Sequence, residues 1–332
     1  MKYVGRESDF KNSNAKVGVL LCNLGTPNRP VCPSLRKYLA EFLMDPRVIE
    51  LPKLFRAILV RGIIVNFRSH KSAAVYREVW TDQGSPLLIN SLALGEKLSQ
   101  VLGEDFHVEV AMRYGDPSIE SKVTAMHEAG IRHIIAIPMY PQYSGSTNGS
   151  TFDALAQSFT KQRWVPKLNF VNDYYQYDAY IAAVGDSIKA HWSEHGKKQK
   201  LIMSFHGVPK KFSTRGDPYE EQCKHSAQRL AEYLELEDTD WMLVFQSRLG
   251  AEEWLQPYCD KTLQSLPAQG ITSVDIVCPG FSVDCLETLE EIEGENKEYF
   301  LEAGGQSYSY IPCLNADDSH ADLMAEIVKT QI

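Results

Sequence analysis

Short apolar runs rich in β-branched residues alternate with helical patterns along most of the chain. The runs lie at 17–22, 108–113, 133–138, 168–171, 201–205, 242–245, 274–278 and 308–311. Helical patterns separate most of them, at 85–102, 118–129, 177–195, 218–236 and 284–301. Strands that alternate with helices predict parallel sheets covered by helices on both faces. With four strands in each half, the chain is predicted to form two similar doubly wound α/β lobes.

Unusual residues cluster where the predicted strands end. Such segments occupy positions 23–27, 114–117, 139–144, 206–209, 246–250 and 279–282. In open parallel sheets, ligands bind outside the carboxyl ends of the strands. The 332 residues also suit two lobes, since a typical domain has about 150. We therefore expect the six segments to border one deep cleft between two facing lobes.

Charge and composition limit the possible partners and the cellular compartment. The formal charge of −9 argues against a nucleic-acid partner, because phosphate binding needs a clustered positive surface. No run reaches the roughly 18 to 20 apolar residues that span a bilayer, and residues 1–16 lack an apolar signal core. The seven cysteines form no C-x-x-C pair. We expect a cytoplasmic protein with reduced thiols.

The segment 51–68 stands out because it is strongly apolar and its only charges are basic, at positions 53, 56, 61 and 68. One interpretation is a core helix with a basic rim. The other is an amphipathic lip that contacts a membrane or an apolar ligand.

The sequence after Asp284 is dominated by acidic residues. Glu287, Glu291 and Glu295 are four residues apart, so they share one face of a helix, where like charges repel by about 0.2 to 0.5 kcal/mol per pair. A solvated acidic face is one interpretation. The other is a row of oxygen ligands that passes a divalent cation inward and protons outward.

His206 ends the apolar run 201–205 and is followed by Gly207 and Pro209, so its ring should project from a rigid turn at the cleft. A histidine in such a place is often structural. At a strand's carboxyl end it is also a candidate neutral metal ligand or base.

Six stretches carry a resemblance to a known family. They are LLCNLGTP at 20–27, AMRYGDP at 111–117, YPQYSGST at 140–147, SFHGVP at 204–209, FQSRLG at 245–250 and CPGFSVDCLETLEEI at 278–292. In this order they resemble ferrochelatases of the Gram-negative bacterial type, the lyases that insert ferrous iron into protoporphyrin IX to make heme.

The resemblance implies a pair of Rossmann-like lobes. The first lobe would hold residues 15–140 together with 312–332, whose helix returns to it, and the second lobe would hold residues 141–311.

The resemblance also implies a set of site residues. His206 and Glu287 match the family's metal-site pair, and Glu291 and Glu295 continue the acidic row. Positions facing the porphyrin propionates are matched by Arg68, Lys71, Tyr76 and Ser85. Positions near the macrocycle are matched by Leu24, Arg113, Tyr114 and Trp254.

The resemblance implies ferrous iron and protoporphyrin IX as substrates and no permanently bound cofactor. Cys285 stands where the animal branch has histidine, so a third ligand is not expected there. The chain lacks the cysteine-rich tail that holds an iron–sulfur cluster in some members, and we expect no cluster. Membrane contact would be weak and peripheral, at the inner face, through residues 51–68.

Three other functions remain open at this stage. A related chelatase could load cobalt or iron into another tetrapyrrole, although its carboxylate-rich substrate would call for a more basic cleft. A tetrapyrrole carrier would need no row of glutamates. Coproporphyrin is a narrower alternative substrate.

Overall fold

Two four-stranded, all-parallel sheets form the framework of the protein. The computed structural model describes residues 3–5, 16–248, 250 and 252–332. The first sheet has the order β2-β1-β3-β4 and the strands β1 Val17–Gly25, β2 Phe106–Tyr114, β3 His133–Pro138 and β4 Lys167–Phe170. The second sheet has the order β6-β5-β7-β8 and the strands β5 Lys200–His206, β6 Trp241–Gln246, β7 Ser273–Val277 and β8 Ser307–Ile311. The predicted fold class is confirmed.

Helices connect and cover the strands. Along the first half run α1 Cys32–Leu43, α2 Lys53–Ala57, a π-helical segment Ile58–Ile64, α3 Val65–Val79, α4 Pro86–Leu102, α5 Ile119–Glu128, a π-helical segment Gly145–Gly149 and α6 Ser150–Phe159. Along the second half run α7 Asp178–His195, α8 Lys210–Thr214, α9 Tyr219–Tyr233, α10 Cys259–Ser265, a 3₁₀ turn Pro267–Gln269, a π-helical segment Glu287–Glu295, α11 Asn296–Glu302, β8 and finally α12 Asp318–Lys329. None of the described helices is both long and apolar enough to cross a membrane.

The apolar runs form strands because helices bury both faces of each sheet. In the central strand β1, every side chain from Val19 to Cys22 is 0% exposed. Leu20 and Cys22 pack with Val123 and Met126 of α5 in one core cluster. At the end of β1, Gly25 has φ +108° and a Cβ there would lie 1.8 Å from the carbonyl oxygen of Tyr114. Glycine therefore lets the carboxyl ends of β1 and β2 approach closely.

The chain divides into two compact units whose bounds differ from those expected. The first unit holds the chain up to Met139 together with Gly145–Asp173 and Met324–Ile332, and the second holds Tyr140–Ser144 and Tyr174–Leu323. Residues 145–173, expected in the second lobe, belong to the first because β4 pairs in parallel with β3. Of the expected return of 312–332, only the last part joins the first unit, where Asn169 donates to the carbonyl of Gln331 at 2.9 Å.

Candidate active site

His206 is the last residue of β5, and its ring is half-buried. Ring atom Nδ1 lies 2.6 Å from the carbonyl oxygen of Gly207. Because a carbonyl can only accept, the hydrogen of the neutral ring is assigned to Nδ1. The lone pair of Nε2 then remains to accept a proton or to bind a cation. The ring of Phe281 lies beside the imidazole, with 6.4 Å between the centroids.

The turn that carries His206 is fixed by its neighbour strand. Gly207 donates its N–H to the carbonyl of Gln246 at 2.7 Å, and a Cβ at Gly207 would lie 2.6 Å from that same oxygen. Pro209 pairs with Trp254 in an antiparallel bridge. The half-buried indole of Trp254 would contact a Cβ at Gly207 at 3.3 Å. The structure therefore brings Trp254 to the turn that holds His206.

The acidic segment is a π-helix at Glu287–Glu295 and not the α-helix expected over 284–301. A π-helix closes its hydrogen bonds from i to i+5, and such segments occur often at functional sites. The segment is anchored at its start by the buried carboxylate of Asp284, which accepts from Thr288, Tyr310 and Asn315. These bonds give Asp284 a structural role.

The three glutamates of the row differ in exposure and contacts. Glu287 and Glu291 are half-buried, whereas Glu295 is exposed and accepts from the hydroxyl of Tyr299 at 2.7 Å. The carbonyl oxygen of Glu287 accepts from Gln246 Nε2 at 2.8 Å. The row thus runs from partly buried groups to solvent, as a path for ions or protons would require.

Glu291 is held by a residue on β6's carboxyl end. Its Oε1 accepts the N–H of Ser247 at 2.7 Å, and its Oε2 accepts the hydroxyl of the same serine. Ser247 has φ +65°, a conformation that is costly for a residue other than glycine and that is often found at functional sites.

Burial raises the pKa of Glu291, and the charge of Glu287 acts in the same direction. The bonds from Ser247 and the charge of His206 oppose that shift only in part. Glu291 is therefore within electrostatic range of both His206 and Glu287 in the second unit. A carboxyl group with a raised pKa takes up a proton more readily than an ordinary glutamate does.

No group of three or more His, Cys, Asp or Glu residues is arranged to enclose a metal ion in the described part of the chain.

The residues matched to propionate contacts separate into accessible and buried ones. Arg68 and Lys71 are exposed, one turn apart on α3. Tyr76 is 8% exposed and packs edge-on against Trp80, with 6.2 Å between the ring centroids. Ser85, at the start of α4, is 5% exposed. Two cations are therefore available to a carboxylate in the first unit, and two hydroxyl residues lie inside it.

The residues matched to the macrocycle in the first unit lie together. β1 and β2 pair so that Asn23 is opposite Met112 and Gly25 is opposite Tyr114, which places Leu24 beside Arg113. Leu24 and Arg113 are half-buried. Tyr114 is 1% exposed, so it supports this edge from inside.

Sequence reasoning missed four polar residues that organise these positions. Gln246 and Ser247 lay inside the quoted FQSRLG stretch at a strand's carboxyl end, which was a usable signal. Asp45 and Ser150, which bond to Arg113 and Tyr114, gave no signal in the sequence.

The segment 51–68 combines a packed side with an exposed apolar side. Val60 and Val65 are buried against Leu43. The exposed side, here called the apolar surface, consists of Leu54, Phe55, Ile58, Ile63 and Phe67, which are 69%, 64%, 59%, 52% and 79% exposed. Lys53, Arg61 and Arg68 are exposed around it. Isolated exposed apolar residues are ordinary, but a group of this size marks an interaction site.

Comparison with known proteins places the chain among one family. Residues 16–332 match the family model described as Ferrochelatase. The chain is 52% identical to a ferrochelatase of Alcanivorax borkumensis over 100% of this chain and 98% of that protein. It is 48% identical to a ferrochelatase of Marinobacter nauticus over 100% of this chain and 91% of that protein. Ferrochelatase 1 of Shewanella oneidensis is 50% identical over 95% of each chain.

Among solved structures, the chain is similar to CbiX, described as the terminal enzyme for biosynthesis of siroheme in denitrifying bacteria. The TM-score is 0.50 at 13% identity, covering 96% of this chain and 99% of that one. At this identity the similarity concerns the fold alone.

Proposed function

This chain belongs to the ferrochelatase family and inserts ferrous iron into protoporphyrin IX to form protoheme, and we propose that His206 takes up the pyrrole protons that the metal replaces. The family resemblance predicted from the six stretches is confirmed. Relatives at 46–52% identity are all named ferrochelatase, which removes the support for a chelatase of another tetrapyrrole and for a carrier. The enzyme is a lyase of heme biosynthesis.

The single observation that carries the role of His206 is its bond to Gly207. Metallation exchanges two N–H protons for Fe²⁺, so a base must present a lone pair to the ring nitrogens. The bond from Nδ1 to the Gly207 carbonyl, 2.6 Å long, leaves that lone pair on Nε2. His206 then acts as proton acceptor, and the same atom is a candidate ligand for the entering iron.

The glutamates complete the proposed site. We assign Glu287 to the metal site together with His206, and Glu291 and Glu295 to a path that connects it with solvent. The half-buried Glu291, whose burial raises its pKa, suits the inner step of proton transfer, and the exposed Glu295 suits the outer one.

We propose that a second set of residues binds the porphyrin. Arg68 and Lys71 would bind the propionates, since exposed cations form charge-assisted hydrogen bonds with carboxylates. Tyr76 and Ser85 would support that end from inside. Leu24, Arg113 and Trp254 would border the macrocycle, and the buried Tyr114 would support the Leu24 edge from inside.

Anaerobic mixing of the purified protein with ferrous iron and protoporphyrin IX tests the activity. The expected result is conversion of the porphyrin spectrum to that of protoheme at a rate proportional to enzyme. Binding of porphyrin with no conversion would leave a carrier and remove the proposed chemistry.

We further propose that the apolar surface gives weak peripheral contact with anionic lipid. Five exposed apolar side chains surrounded by exposed Lys53, Arg61 and Arg68 match the two components of an interfacial membrane contact.

No permanently bound cofactor is proposed, and no iron–sulfur cluster. Six of the seven cysteines are buried and Cys32 is partly exposed. Purified protein free of metal and heme should show no visible band that dithionite bleaches, and such a band would contradict this proposal.

A further inference from the structure

A buried ionic cluster lies at the carboxyl edge of the first sheet. Asp45 is 5% exposed, and its Oδ2 accepts hydrogen bonds from three side chains. The donors are Arg113 Nη2 at 2.5 Å, the Tyr114 hydroxyl at 2.8 Å and Ser150 Oγ at 2.5 Å. Its Oδ1 accepts the N–H of Arg47 at 2.8 Å. The carboxylate is fully hydrogen-bonded, as a buried charge has to be.

The cluster also binds two of the three guanidinium nitrogens of Arg113, Nε and Nη2. While Nη2 binds Asp45, Nε donates to Ser150 Oγ at 2.7 Å and to the Ser150 carbonyl at 3.0 Å. The Arg113 side chain is 19% exposed and that of Asp45 is 3% exposed, so solvent screens the pair little. A guanidinium with a buried counter-charge and bound donors is a poor partner for a further carboxylate.

The neutralisation of Arg113 matters because of where the cluster lies. Arg113 lies beside Leu24 at the edge proposed to border the macrocycle, whereas the cations proposed for the propionates, Arg68 and Lys71, are on α3. Because Asp45 compensates its charge, Arg113 adds no net positive charge to the Leu24 edge.

We propose that Asp45 is a positioning residue that sets the carboxylate specificity of the porphyrin site by holding and neutralising Arg113. The inference rests on the proposed porphyrin contacts. A porphyrin whose carboxylates all lie at one side meets a neutral edge at Leu24. A porphyrin with carboxylates around the ring has to bury some of them against that edge without a cation, which is unfavourable. Asp45 therefore favours the dicarboxylate over the tetracarboxylate substrate.

Substitution of Asp45 by asparagine provides the direct test, because it keeps the size of the side chain and removes its charge. Arg113 then becomes an uncompensated cation at the Leu24 edge. The ratio of kcat/KM for coproporphyrin III, with four carboxylates, to kcat/KM for protoporphyrin IX, with two, should rise about tenfold, as one new charge-assisted bond allows. The change should fall mainly on the porphyrin KM and leave the iron KM near that of wild type.

Three companion variants separate positioning from a general loss of structure. Asp45→Glu keeps the charge and should return the ratio toward wild type. Asp45→Asn combined with Arg113→Gln removes the cation and should abolish the gain. Asp153→Asn disrupts an exposed ion pair with Arg47 in the same unit and should leave the ratio unchanged.

The test of Asp45 can fail without the proposed function failing, because the two rest on different measurements. Wild-type metallation of protoporphyrin IX tests the function, and the ratio between the two porphyrins tests Asp45. If Asp45→Asn yields no folded protein, Ser150→Ala removes one acceptor of Arg113 Nε and one donor to Asp45, and it should raise the ratio by a smaller factor. An unchanged ratio in the folded variant, or a gain that persists without Arg113, would overturn the proposal.

Discussion

Ser247 donates both its backbone N–H, at 2.7 Å, and its hydroxyl to the carboxylate of Glu291. Ser247 holds a left-handed conformation, φ +65°, that aims both donors at one side chain of the π-helix. A strained residue at the end of β6 thus fixes the orientation of an acidic group in the proposed relay. This contact makes the relay testable by changes that do not touch the acidic residues themselves.

Removal of the Ser247 hydroxyl should shift the pH dependence of turnover. That hydrogen bond lowers the pKa of Glu291 against the larger effect of burial, so Ser247→Ala should raise the pKa further. On acidification, Glu291 would then become protonated at a higher pH than in wild type. The acid limb of the pH profile of kcat should therefore move to higher pH. The lost bond to a charged group is worth about 1.5 to 3 kcal/mol. Ser226→Ala, which removes a buried hydroxyl bonded to Gln142, is the matched control, and an equal shift there would reject this role.

Neutralising Glu291 or Glu295 should change the iron dependence of turnover more than the binding of porphyrin. Glu291→Gln and Glu295→Gln retain shape but neither binds a cation as strongly nor carries a proton. We expect the apparent iron KM to rise while porphyrin affinity, measured by fluorescence quenching, stays near normal. Loss of porphyrin affinity with an unchanged iron dependence would count against the relay. Glu298→Gln, an exposed carboxylate on α11, serves as control.

Much of this organisation could be predicted from the sequence, because strand and helix periodicity are local properties. The eight strands and the place of His206 at the end of one of them followed from apolar runs and the residues after them. The π-helical form of Glu287–Glu295 did not, since it depends on long-range anchors such as Tyr308, which donates to the carbonyl of Ile292. The partners of Arg113 could not be predicted from the sequence either, because Asp45 and Ser150 are 68 and 37 residues away along the chain.

The bounds of the two units differ from the predicted lobes for a similar physical reason. The resemblance implied that 145–173 belong with the following strands, but β4 completes the first sheet by pairing with β3, so Ile134 lies opposite Leu168. Pairing partners of a parallel strand are not encoded by its own periodicity.

The apolar surface should govern lipid binding. Phe55→Asp combined with Ile58→Asp removes two of its exposed side chains and adds negative charge. Burying one such side chain contributes about 1.5 to 3 kcal/mol at most, so binding to phosphatidylglycerol vesicles should fall at least about tenfold in co-sedimentation. Val165→Asp, at another exposed apolar position, should bind like wild type. Equal binding by all three proteins would remove the membrane proposal.

Asp45 should contribute to stability in a pH-dependent manner. Burial raises its pKa, but hydrogen bonds from Ser150, Arg47 and Tyr114 and the charge of Arg113 together hold the pKa of Asp45 below its ordinary value. Its stabilising effect is therefore present above the unfolded-state pKa and is lost as pH falls through the lower folded-state pKa.

At pH 7 Asp45→Asn should cost about 3 kcal/mol, as removal of one partner of a buried pair does. The difference in urea midpoint between wild type and variant should narrow as the pH falls below about 4. Asp153→Asn, which affects an exposed pair, should cost less than about 1 kcal/mol. A difference that stays constant from pH 7 to pH 3 would show that the charge of Asp45 does not stabilise the fold.

Replacement of His206 by alanine should abolish metallation while leaving the protein able to bind porphyrin. The ring is half-buried at the end of β5 and its Nδ1 bonds to the carbonyl of the neighbouring Gly207, so its removal costs little core packing. Turnover should fall by about 10²-fold to 10⁴-fold, the range for one positioned proton-transfer group. His225→Ala, an exposed histidine of the same unit that contacts Tyr175, should keep full activity. Circular dichroism and porphyrin fluorescence would confirm that the His206→Ala protein is folded and binds porphyrin. Near-normal turnover by that protein would show that the reaction proceeds without the histidine and would leave the proton transfer to the carboxylates.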